Sequence, residues 1–201
     1  MTAPRVPLPS PEAMSPVQRA LYDRIVASPT RRMVGPQRAN IHSPELAEAW
    51  WRLGDMLRSR TVLPTMLIEL AIIVVGRRWT SQVEFHVHSA AAIHAGLDRA
   101  VVEAIRQGAP PPLGPGQERE VYEFARQAQM SGQVDDAVYA AVLARWGERG
   151  TVELTAVIGF YTMVSIALNL HRIPLPDGAT PPLASIGREG GLAPLPPSGP
   201  A

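Results

Sequence analysis

Cysteine is absent from this 201-residue chain. Without a thiol there can be no disulfide, no thiolate metal centre and no cysteine nucleophile or thiol peroxidase. Lysine is absent too: all 19 basic residues are arginine, set against 18 acidic ones for a formal net charge of +1. No basic run breaks that balance, so a phosphate-binding footprint is lacking and nucleic acid is not an expected partner. No apolar stretch follows Met1-Thr2-Ala3-Pro4-Arg5, so no secretory signal is visible. The longest apolar run, Leu154 to Leu170, is interrupted by Thr155, Thr162, Ser165 and Asn169. It falls short of the roughly 20 residues a membrane span needs and reads as a buried core helix. The expectation is a soluble, cytoplasmic protein without a membrane partner.

Proline is plentiful and marks the boundaries. Of its 21 copies, seven lie in residues 1–36 and eight in 174–200. Residues 1–15 read as a Pro-rich arm, 16–174 as one folded domain, and 175–201 as a Pro/Gly-rich tail. That tail has few bulky apolar groups to offset its ordering entropy, so it is expected to be loose or draped over a neighbouring surface.

Within the domain, helix signals repeat and strand signals do not. Ser43-Pro44-Glu45 places a cap before a first-turn proline and opens a helix through about Ser59. Pro64 opens another to Arg78. Ile72-Ile73-Val74-Val75 has strand composition, but its place inside a 15-residue window favours a buried helix. Thr80-Ser81 punctuates, a third helix runs to Ala95, and Gly96 closes it. Asp98 caps a short helix ending at Gly108, and the Pro110 to Gly116 stretch is a rigid loop. Helices follow at about 117–130, 135–146 and 151–171. The fold class is all-α, a single domain of about eight helices.

Three residues carry most of the chemical interest. Glu69 has Thr65, Met66, Ile72 and Ile73 as its helical neighbours, so no polar face is available to it. A carboxylate buried without a cation has its pKa raised, which suits proton transfer; pairing with Arg77, Arg78 or a more distant arginine is the structural alternative. Glu84 and His88, four residues apart, share a helix face and can form a carboxylate–imidazole pair that leaves one ring nitrogen as a base. Ser81-x-x-Glu84 also fits a capping box, in which Glu84 only serves a backbone amide. His86 points to another side, towards a lid or a subunit contact. Tyr161, in a strongly apolar helix, needs a partner for its hydroxyl.

The stretches Glu69 to Trp79, Glu84-Phe85-His86-Val87-His88 and Ala91 to Leu97, with Glu153 to Met163 and Asn169 to Pro174, resemble the carboxymuconolactone decarboxylase family, which includes the alkylhydroperoxidase D-like proteins. The resemblance covers roughly residues 40–176. In the peroxidase branch a Glu is followed by a Cys-x-x-Cys pair and a His one turn later. On this chain those positions are Glu69, Ser81 with Glu84, and His88. Both thiols are missing, and a serine hydroxyl cannot cycle through sulfenic acid, so the redox activity does not transfer.

What the resemblance implies is an oligomeric, cofactor-free acid/base enzyme of decarboxylase or lactone-acting type. Its substrate would be a small carboxylic acid or lactone. Glu69, Glu84 and His88 would be catalytic, with Trp79, Ser81, His86 and Tyr161 lining the substrate pocket and no metal. A homo-oligomer, trimer or hexamer, is implied as well. Two alternatives stand beside this: a metal-dependent enzyme using Glu84, His88 and Glu69, and a non-catalytic binding or scaffold protein.

Overall fold

The computed structural model describes residues 3–28, 33–176, 178–184 and 192–200. Its elements in chain order are α1 (Pro16–Ala27), α2 (Gln37–Asn40), α3 (Pro44–Ser59), α4 (Thr65–Arg78), α5 (Gln82–His94), α6 (Arg99–Gln107), α7 (Gln117–Ser131) and α8 (Asp136–His171). Among the described residues there is no strand, and a single parallel bridge joins Pro112 to Gly199. The architecture is all-helical.

α4 forms the centre. It is apolar on every side, and every residue from Leu67 to Arg77 is buried. Such a helix must be surrounded, and α5, α7 and α8 enclose it. That surrounding explains why Ile72 to Val75 is helical despite its β-branched composition: tertiary burial outweighs local propensity.

The expected caps form where side chains allow. Asp98 Oδ1 accepts from the Ala100 amide at 2.8 Å, and Gly108 ends α6 in the left-handed region at φ 72°. The last two expected helices are joined into α8, bent at Gly147, whose φ of 65° and ψ of −176° break the helical path for one residue. α8 is long and apolar enough to cross a membrane by length and composition, yet half of its most apolar stretch is buried inside the protein.

The tail, in its described parts, is draped rather than loose. Leu183 and Leu195 join the main core, and Ala193 is fully buried. Backbone and side-chain bonds pin it: Ala193 N–H to Arg78 O, Gly199 N–H to Pro111 O, Tyr122 hydroxyl to Pro196 O at 2.7 Å, and the Gln82 amide to both Leu183 backbone groups at 2.9 Å. Scarce bulky residues suffice because each bond supplies an ordered partner for backbone groups. The arm at the other end is anchored too, through Arg5 N–H to His171 O at 3.0 Å.

Candidate active site

The turn Trp79–Ser81 sends the chain from α4 directly into α5. Thr80 sits there at φ 48°, an uncommon conformation for a β-branched residue. This reversal sets the α4 carboxylate Glu69 against the α5 imidazole His88, 19 residues later in the chain. His88 Nδ1 lies 2.6 Å from Glu69 Oε2 in a buried hydrogen bond. On the far side of the ring, Nε2 lies 3.1 Å from Glu84 Oε1. That second contact is at ion-pair distance but off hydrogen-bond geometry, so Glu84 Oε1 acts as a charge and is left without a donor. The third wall is Tyr161 of α8, whose ring stands edge-on to His88 with centres 5.2 Å apart.

All four residues are buried: Glu69, Glu84, His88 and Tyr161 are 6%, 4%, 8% and 2% exposed. Burial by itself disfavours the charged imidazole. The Glu84 charge and the hydrogen bond to Glu69 overcome it, and the His88 pKa is pushed up from 6.5 to about 10. His88 therefore rests as an imidazolium at neutral pH. This corrects the expectation for Glu69. Glu69 is not a carboxylate buried without a cation, and its partner is a histidine rather than an arginine. His88 stands not beside one carboxylate but between two. The capping-box alternative for Glu84 also fails, because the Ser81 side chain makes no cap hydrogen bond.

Other expected residues fall as follows. Ser81 is fully buried at the start of α5, its hydroxyl without a partner. His86 is half-buried, and its carbonyl accepts the Ser89 hydroxyl. Trp79 turns to α7, its indole N–H donating to Gln129 Oε1 at 3.0 Å, while its carbonyl accepts from the Asn169 amide at 2.8 Å. A cleft of about 260 Å³ opens between the first turn of α5 and the end of α8, lined by Gln82, Val83, Asn169, Arg172 and Pro181. Neither His88 nor its carboxylates line it.

Several buried polar atoms of α5, α8 and the turn before α5 have no hydrogen-bond partner within the chain. The Thr80, Ser81, Tyr161 and Ser165 hydroxyls and Glu84 Oε1 are all of this kind.

A single metal ion does not fit the cluster. The two carboxylates lie against different ring nitrogens, on opposite sides of the imidazole, so one ion cannot meet both and a ring nitrogen in this arrangement. Among the described residues no group of three His, Asp or Glu is disposed to hold a metal.

One residue that sequence reasoning missed is Arg58 of α3. Its charge acts on the Tyr161 hydroxyl. Burial raises the Tyr161 pKa; Arg58 opposes this, and Glu84 and Glu69 reinforce it.

Solved structures share this fold. A peroxidase-related protein from Ralstonia eutropha, described as an alkylhydroperoxidase AhpD core, superposes with a TM-score of 0.69 at 15% identity, covering 88% of this chain and 94% of that one. A peroxidase-related protein from a Silicibacter species gives 0.66 at 17%, covering 88% and 96%. A putative antioxidant defence protein AhpD from Agrobacterium tumefaciens gives 0.61 at 17%, covering 69% and 95%. No family profile and no curated protein matches the chain. The chain thus has the alkylhydroperoxidase D-like fold; at these identities the likeness is one of fold.

Proposed function

We propose that this protein is a cofactor-free acid/base enzyme acting on a small carboxylated substrate, by decarboxylation or by opening or isomerising a lactone. Thiol peroxidase chemistry is excluded, since the chain has no cysteine. The observation that carries the reading is the enclosed Glu69–His88–Glu84 arrangement, an imidazole held between two buried carboxylates at 2.6 and 3.1 Å.

The roles follow from the charges. His88, an imidazolium, donates a proton; Glu84, ion-paired across the ring at 3.1 Å, accepts one; Glu69 holds the ring and stabilises its cationic form. In a decarboxylation, loss of CO2 leaves an electron pair on carbon, His88 supplies the proton that quenches it, and water restores the proton to the ring. In a lactone isomerisation, Glu84 removes a carbon-bound proton while His88 delivers one elsewhere.

We place the protein in the cytoplasm as a homo-oligomer. Exposed apolar residues on α5 and α8, among them Val87, Met163 and Leu170, support that assembly.

Positioned acid–base groups contribute typically about 10²–10⁴-fold. A screen of keto acids and carboxylated lactones, followed by coupled CO2 or ultraviolet assay, identifies a turned-over compound; His88→Ala is expected to lower its kcat by about that factor. Equal turnover by wild type and His88→Ala on that compound would leave His88 with only a structural role, tying α4 to α5.

A further inference from the structure

The cleft beside the first turn of α5 differs in kind from the acid–base cluster. Val83 of α5, Leu168 of α8, and Ile173 and Leu175 just beyond α8 give it apolar walls, and Pro181 of the tail closes one side. That side is held in place: two residues on, both backbone groups of Leu183 bond the Gln82 amide at 2.9 Å. No acidic residue is among the described residues lining the cleft, and the charged residue among them is Arg172.

Arg172 is placed unusually. It ends α8 at φ 52°, a left-handed position that glycine takes with the least strain. It is half-buried, and its guanidinium makes no ion pair or hydrogen bond among the described residues. The helix dipole favours a cation at this end, but other groups already serve it. His171 lies in the last turn, and Arg5 of the arm brings its Nη1 to 3.4 Å from the Leu170 carbonyl. Neither Arg5 nor Arg172 takes part in an ion pair among the described residues. An arginine is thus kept, against its backbone preference, in the wall of an apolar hollow without a counter-charge.

We propose that this cleft is a second ligand site, for a small amphipathic anion whose apolar body lies against Val83, Leu168 and Ile173 and whose oxyanion head pairs with Arg172. At about 260 Å³ it is smaller than the roughly 300–1,000 Å³ of pockets for drug-sized ligands, so the body is a short acyl chain or a single ring. Carboxylate and sulfonate heads share the geometry that a guanidinium fork recognises. The site binds without turnover, since no residue that exchanges a proton near neutral pH lines it, and it stands whether or not the His88 cluster is catalytic.

The test is calorimetric binding of hexanoate, hexanesulfonate and the uncharged hexanol, with methyl NMR to locate them. Both anions are expected to bind about ten-fold more tightly than hexanol, the scale of one charge-assisted pair. They should shift the methyl signals of Val83, Leu168, Ile173 and Leu175. Arg172→Gln should lose the preference for the anions while still binding hexanol. Arg172→Gly, which suits the left-handed backbone, should fold at least as stably as wild type and lose it too. Hexanol bound as tightly as either anion overturns the proposal, as does an anion preference that survives in Arg172→Gly. His88→Ala separates the two sites: it should leave hexanoate affinity unchanged, and a loss of binding in the folded variant would assign the anion to the cluster and overturn the second site.

Discussion

His88 shows how a residue's chemistry is set by what stands on either side of it. Two carboxylates hold its pKa at about 10 against the opposing effect of burial, and the sign of the resulting stability effect is fixed. The folded-state pKa lies above the ordinary 6.5, so the favourable contribution is complete below about pH 6.5 and is lost as pH rises through about 10. Glu69→Gln removes the 2.6 Å hydrogen-bonded carboxylate and is expected to lower the His88 pKa, moving that loss of stability to lower pH. Urea unfolding from pH 6 to 10.5, with the ring titration followed by NMR, checks both. An unchanged titration in Glu69→Gln would mean that Glu84 alone sets the ring's charge. Sequence spacing reached part of this site: Glu84 and His88 at helical spacing were bound to share a face. Glu69 could be read as buried, but its partner could not, because the pairing depends on the angle at which the α4–α5 turn returns the chain. Arg58 gave no local signal at all. One more arginine on an amphipathic helix is unremarkable until packing decides what lies under it.

At the scale of the element, α3 depends on one small residue. Trp50 and Gly54 together fit the Phe160 ring, and a methyl group at 54 would lie 3.0 and 3.2 Å from its edge. Gly54→Ala should therefore destabilise the fold by about 1–3 kcal/mol through overpacking, in spite of alanine's better helix propensity. Urea denaturation measures the effect; a gain in stability would show that α3 can shift outward at little cost. The helices were legible in the sequence because their ends carry chemistry: Pro44, Pro64, Asp98 and Gly108 act where their side chains or torsions require. Gly147 was less legible. The sequence reading left a four-residue gap between two helices, whereas a single glycine at φ 65° makes the bend and lets the helix resume at once.

Across the whole molecule, charge is distributed unevenly. The ion pairs other than those of His88 lie on α1, α3, α6, α7 and the first part of α8. From Phe85 to Leu97, and again from Leu154 to Leu170, no Asp, Glu or Arg occurs. Those two stretches meet where His88 touches Tyr161, and they also expose Val87 at 43%, Met163 at 40% and Leu170 at 56%. A solvent-facing surface gains from charged groups, and one that keeps none while exposing large apolar side chains fits burial against another chain. Like meets like in a homo-oligomer, so an uncharged patch can cover its own copy without leaving an ion unpaired. If the protein self-associates through these residues, Met163→Glu and Val87→Glu, each placing a carboxylate at an exposed apolar position, are expected to shift it toward monomer in sedimentation velocity at micromolar concentration. Both positions face outward, so the monomers should keep the helical circular dichroism of the wild type. A wild type that sediments as a monomer would break the link between the uncharged surface and self-association. The same experiment bears on the site, because α5 and α8 are also the helices that hold His88 and Tyr161, and their other sides are what a partner would cover.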